Sequence, residues 1–149
     1  MKYNSELALD LGTTLGWATP EASGSVKLQA KNREPKGMRF LRFAQWLEET
    51  YKVNGGLRRV YFEEVVGHKG KAASHMYGGY WAILLAFCEM KGVLAEGVPV
   101  KTIKKYATGN GNADKEMMMD AYRARWGCDP VDNNEADAKW LLAYIHSQR

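Results

Sequence analysis

A chain of 149 residues with 46% hydrophobic content is long enough to bury a sizeable core and fits one domain, 1–149, with no linker. The formal charge of +4 permits a polyanionic partner without demanding one, and Cys88 and Cys128 are too few and too far apart for a disulfide scaffold or a zinc site. The longest apolar stretch, Tyr80 to Cys88, is far below the roughly 20 residues that span a bilayer, and the short run before Asp10 carries acids, so neither a membrane span nor a signal peptide is expected and a reducing cytoplasm is the default.

The chain opens on Glu6-Leu-Ala-Leu-Asp-Leu-Gly-Thr-Thr-Leu-Gly-Trp-Ala18, an apolar strand that runs into an acid and a glycine-bearing turn. Asp10 at the strand's edge loses hydration, which is tolerable only where a cation or donors replace the water. Leu15 to Thr19 and Ser25 to Ala30 read as two further strands joined by Pro20 to Gly24, giving an antiparallel meander. A polar loop over Asn32 to Gly37 precedes a helical stripe at Met38, Leu41, Trp46 and Leu47, which ends before Asn54-Gly55-Gly56 and should cover one face of the sheet.

Arg59-Val-Tyr-Phe-Glu-Glu-Val-Val66 is the next strand. Its alternation puts Val60, Phe62 and Glu64 on one face and Tyr61, Glu63 and Val65 on the other, so only one of the adjacent acids can point at Asp10. Gly67 to Ala73 is glycine-rich and basic. A long helix follows from about Ala72 to Met90, with Met76, Tyr80, Ile83, Leu84 and Phe87 at helical spacing. Gly78-Gly79 inside it costs about 1 kcal/mol per residue of helix propensity, and close approach of a partner helix is the expected reason.

Val98 to Val100 reads as a short strand and Thr102 to Tyr106 as a helical turn. In the turn cluster Thr108-Gly-Asn-Gly-Asn112, Asn112 is placed to cap a helix running to Trp126, with Lys115 in its first turn, where a cation opposes the helix dipole. The closing helix begins after Pro130. Asp132 and Glu135 match a capping box, whereas Asp137 lies a turn inside on the stripe Asn134, Asp137, Leu141, Tyr144, and an acid on that inward face requires a partner.

Asp10, Glu63 and Asp137 thus come from distant positions, each in apolar surroundings. Like charges brought within about 4 Å repel by several kcal/mol at intermediate dielectric, so such a cluster survives only around cations or protons. Magnesium or manganese suits hard oxygen ligands, and two such ions about 3.5–4 Å apart can activate water and stabilise the leaving oxygen of a phosphodiester. Basic residues crowd Lys31 to Lys36, Lys52 to Arg59, Lys69 to Lys71 and Lys101 to Lys105, which gives a positive surround suited to nucleic acid.

Four segments carry a family resemblance: Leu9-Asp-Leu-Gly-Thr-Thr-Leu-Gly-Trp17, Phe62-Glu-Glu-Val65, Lys104-Lys-Tyr-Ala-Thr-Gly-Asn-Gly-Asn-Ala-Asp-Lys115 and Asn134-Glu-Ala-Asp-Ala138. In type and order they resemble the RuvC-type Holliday junction resolvases, of a phage or prophage kind, within the RNase H-like superfamily. The resemblance implies an α/β fold in which three antiparallel strands lead into parallel strands of a mixed five-stranded sheet flanked by helices. It implies metal-dependent resolution of four-way and other branched DNA by paired nicks that leave a 5′-phosphate. It makes Asp10, Glu63 and Asp137 the catalytic acids and the ligands of Mg²⁺ or Mn²⁺, two ions to each active site.

At the family's fourth ligand position this chain has Asn134, which offers oxygen with less charge, so Asp132 or Glu135 are its candidate substitutes. Lys115 takes a catalytic role at the scissile phosphate, and Lys104, Lys105, Lys115, His68, Lys69 and Lys71 are the candidate DNA contacts. Where the family inserts an aromatic into the junction, this chain reads Val65-Val-Gly-His-Lys-Gly-Lys71, so no base-step preference carries over. The resemblance also implies a homodimer through the helix around Ala72–Met90, which would account for Gly78 and Gly79, acting in a bacterial or phage-infected cytoplasm. Three alternatives remain at this point: an RNase H-like nuclease for flaps, forks or hybrids, a phosphate-binding domain of the sugar kinase and actin-like kind, which Asp-Leu-Gly-Thr-Thr also resembles, and a DNA-binding protein without catalytic power, which Asn134 in place of an acid makes conceivable.

Overall fold

A computed structural model describes residues 5–65, 67 and 70–149. Five strands form one sheet: β1 (Glu6–Asp10), β2 (Thr14–Ala18), β3 (Ser23–Lys27), β4 (Arg59–Glu64) and β5 (Leu94–Pro99). Their order is β3-β2-β1-β4-β5, antiparallel from β1 to β3 and parallel across β1, β4 and β5. This is the mixed sheet anticipated from the sequence.

The two-residue alternation of the strands divides the core into two layers. Leu7, Leu9, Val60 and Phe62 pack against α1 (Gly37–Val53) and α2 (Lys71–Lys91). Ala8, Ala18, Tyr61 and Val98 pack on the other side against α3 (Val100–Thr108), α4 (Lys115–Trp126) and α5 (Asn133–Ser147). Asp10 and Glu63 share the parity of Ala8 and Tyr61, so both acids project from the α5 side. No helix among the described residues is long and apolar enough to cross a membrane.

Several boundaries differ from the sequence reading. β3 begins at Ser23, because the Thr19 backbone N–H bonds the Ala22 carbonyl at 2.7 Å and closes the preceding turn early. β5 extends back to Leu94 and stops at Pro99, which starts α3; as an edge strand it exposes Leu94 and Glu96 and carries no clear apolar alternation. α4 is capped by Asp114, whose carboxylate accepts from the Met117 N–H at 2.9 Å, and not by Asn112. The Asn112 N–H is instead held by the Asn110 side chain in a local turn.

One glycine of the α2 pair also has a local explanation. A Cβ on Gly79 would lie 2.6 Å from the Phe40 ring of α1, so the close approach comes from within the same chain, while Gly78 faces open space. Gly79 is thus accounted for without a second copy, and no contact among the described residues accounts for Gly78.

Candidate metal centre

Three elements meet at the end of the sheet where β1 and β4 finish. Parallel pairing sets Leu9 opposite Phe62, which places Asp10 and Glu63 side by side just beyond the last matched pair. α5 crosses this face and brings Asp137 from its second turn. One oxygen from each of Asp10, Glu63 and Asp137 lies within 4.8 Å of the others. Glu64, with the opposite parity, ends β4 in solvent.

Placement of α5 depends on a contact of backbone with backbone. Gly16 of β2 sits against Asn134 so closely that a Cβ there would fall 1.9 Å from the Asn134 carbonyl oxygen. Two serines of β3 hold the same helix end. The Ser25 hydroxyl donates to Asp132 and the Ser23 hydroxyl to Glu135, both at 2.6 Å. Asp132 also accepts from the Glu135 N–H at 2.9 Å as the N-cap, and Glu135 accepts from the Val131 N–H at 2.6 Å.

These two acids are held by capping and by β3 and are not among the three carboxylates that converge, although the Asp132 charge acts on Asp10 and Asp137. Asn134 lies at this helix end too, its side chain hydrogen-bonded to Asp132.

The cluster's electrostatics follow from burial. Loss of hydration, reinforced by the Asp137 charge, pushes the Asp10 carboxyl up to about 8. Burial and then the Asp10 and Asp137 charges raise Glu63 well above the usual carboxylate range. Asp137 rises to about 6 through burial, while Lys104 and Lys115 pull it back. At neutral pH the cluster without a cation retains protons. Three converging carboxylates in a poorly hydrated site are a donor set that fits a hard divalent cation.

A stability prediction follows. Since the folded values of Asp10 and Asp137 lie above the ordinary value of 3.8, the folded metal-free protein binds more protons than the unfolded chain between about pH 4 and 8. Stability should therefore fall as pH rises through that window. Asp132, whose value is lowered, titrates below it and does not mask the effect. Thermal melts in chelator at pH 5 to 8 should show the decline, and magnesium should reverse it at pH 8. A flat profile would contradict the clustered geometry.

Both chain segments flanking the centre are tied to α2. The Thr13 and Tyr80 hydroxyls meet at 3.2 Å after β1. After β4, the Tyr77 hydroxyl donates to the Glu63 carbonyl at 2.8 Å and accepts from the Val65 N–H at 3.4 Å. Pro99, opposite Glu64 on β5, has no N–H to offer, and Tyr77 supports the strand end beside it.

Tyr77 was absent from the helical stripe read in the sequence, because its role depends on a strand brought alongside by folding. Tyr77→Phe should cost about 1 kcal/mol of stability yet weaken Mn²⁺ binding several-fold by calorimetry. Unchanged Mn²⁺ affinity would show that the hydroxyl does not position Glu63.

Lys104, half-buried on α3, and Lys115, the exposed first residue of α4, act electrostatically on the cluster. Lys105 is exposed beside Lys104, and Lys71 opens α2 in solvent. His68 and Lys69 lie outside the described residues.

No family model matches the sequence, and no curated protein matches it. Solved structures do resemble the fold. RuvC of T. thermophilus in complex with Holliday junction substrate gives a TM-score of 0.75 at 20% identity, covering 95% of this chain and 92% of that one. A second Thermus thermophilus RuvC structure gives 0.72 at 20% identity, covering 96% and 95%. The yeast mitochondrial Holliday junction resolvase Ydc2 gives 0.63 at 11% identity, covering 95% of this chain and 77% of that one. The fold is thus RNase H-like, as the sequence motifs implied.

Proposed function

We propose that this chain is a metal-dependent endodeoxyribonuclease that resolves four-way DNA junctions. The observation that carries the reading is the convergence of Asp10, Glu63 and Asp137 from β1, β4 and α5 on a fold shared with RuvC and Ydc2. A phosphate-binding domain of the sugar kinase or actin-like kind would not require three acids gathered in this way.

Asp10, Glu63 and Asp137 would hold Mg²⁺ or Mn²⁺, two ions per site, with the Asn134 oxygen as a weaker fourth donor. When bound, these ions supply the charge that activates water and stabilises the leaving oxygen. The poorly hydrated carboxylates fix where that charge sits. Lys115 and Lys104 lie on the helices facing α5, where their cations offset the charge that builds on the phosphodiester as it is attacked. Cleavage would leave a 5′-phosphate and a 3′-hydroxyl.

Paired nicks on a two-fold symmetric junction call for two identical sites, so the acting form would be a homodimer. α2 is its proposed interface, where Trp81 is 43% exposed. Lys105, Lys71 and the 68–69 segment are further proposed DNA contacts.

The test compares an immobile four-way junction with forks, flaps, RNA–DNA hybrids and linear duplex, in magnesium and in manganese. Paired opposed nicks in the junction, with 5′-phosphate ends, are expected. Faster cutting of hybrids or flaps would assign a different nuclease, and junction binding without cutting in either metal would leave only a binding protein.

A further inference from the structure

The sheet register places a cation on the side of the metal centre away from α3 and α4. Asp10 is paired with Gly16, and Gly16 with Ser25, so these three residues form one row across β1, β2 and β3. Lys27 lies two residues beyond Ser25, paired with Thr14.

Side-chain parity on β3 is established by contacts. Ser23 and Ser25 reach the N-terminal end of α5, whereas Val26 packs into the opposite core layer. Lys27 therefore projects from the same face as Asp10, at the end of the sheet where β1 finishes. Two strand spacings across and two residues along separate their Cα atoms by about 12 Å. That is too far for Lys27 to serve the phosphate under attack and near enough to hold a neighbouring one.

The surface at this point is shaped and charged for such a ligand. A hollow of about 450 Å³ is lined by Thr13, Thr14, Lys27 and residues 29–32, including Lys31, with no acidic side chain among them. Lys27 and Lys31, like most of the cations among the described residues, form no ion pair with an acid. Glu34, the acid nearest in sequence to Lys31, is engaged by Arg42. Two unneutralised cations beside a polar hollow attract a polyanion.

We infer that Lys27, supported by Lys31, grips the phosphodiester backbone of the cleaved strand beside the metal centre, opposite Lys104 and Lys115. The DNA strand would cross the three acids between two basic walls, which sets its direction through the site. The inference rests on the nuclease reading above.

The test measures junction affinity of the parent, K27A, K31A and the double variant in calcium by fluorescence anisotropy, from 50 to 200 mM salt. Each substitution should reduce the slope of log affinity against log salt by about 0.9, and the double variant by about twice that. In magnesium the substitutions should raise KM more than they lower kcat, and K27R should recover most of the affinity.

Single methylphosphonate replacements along the cleaved strand then locate the contact. The neutralised phosphate that weakens binding of the parent should have no further effect on K27A. Equal penalties in parent and K27A, or an unchanged salt slope, would overturn the assignment. If the parent binds junctions but cuts nothing, the nuclease reading fails while the slopes still decide the role of Lys27. A parent that binds no DNA overturns both.

Discussion

Asp10→Asn should reduce junction cleavage on the order of 10³-fold or more while junction affinity, measured in calcium, stays within about threefold. Asparagine keeps an oxygen near the same place and changes little in shape, so the loss isolates the charge that holds the cation. The same substitution should raise the melting temperature of the metal-free protein. Asp10 is pushed up to about 8 by burial and by Asp137, and removing one ionisable group relieves the repulsion that builds as pH rises. Higher metal-free stability together with lost cleavage is the signature of a site that sacrifices stability for function. A variant that still resolved junctions in magnesium would exclude Asp10 from the reaction.

Gly16→Ala should be as damaging to the centre without touching any carboxylate. The added methyl would sit 1.9 Å from the carbonyl oxygen and 2.4 Å from the carbonyl carbon of Asn134, both backbone atoms that no rotamer change can move. α5 would have to lift from β2, pulling on the Ser25–Asp132 and Ser23–Glu135 bonds and carrying Asp137 away from Asp10 and Glu63. Overpacking of this kind costs about 3 kcal/mol. Thermal melts should register it, and Mn²⁺ affinity by calorimetry should fall at least tenfold at temperatures where the variant remains folded.

Gly37→Ala is the control. Gly37 begins α1, lacks a positive φ and has nothing within 4 Å of the added methyl, so that variant should match the parent. Parent-like melting and Mn²⁺ binding in Gly16→Ala would remove the proposed dependence of the centre on this contact.

What the amino-acid sequence determined by itself was the content of short stretches. Two-residue alternation in β4 separated Glu63 from Glu64, and the spacing of Asp132 and Glu135 identified a helix cap, because both depend on backbone geometry within a few residues. The first part of edge strand β5, Leu94 to Gly97, escaped that reading, since a strand half in solvent carries little apolar pattern. Asp114 took the cap expected of Asn112, because closely spaced Asx residues compete for one helix start.

Tertiary structure alone decided which distant residues share a face. Tyr77 holds the end of β4, Gly16 admits Asn134 across 118 positions of chain, and Lys27 stands on the Asp10 side of the sheet through strand register. Periodicity records which side of its own element a residue occupies. It carries no information about what folding places on that side.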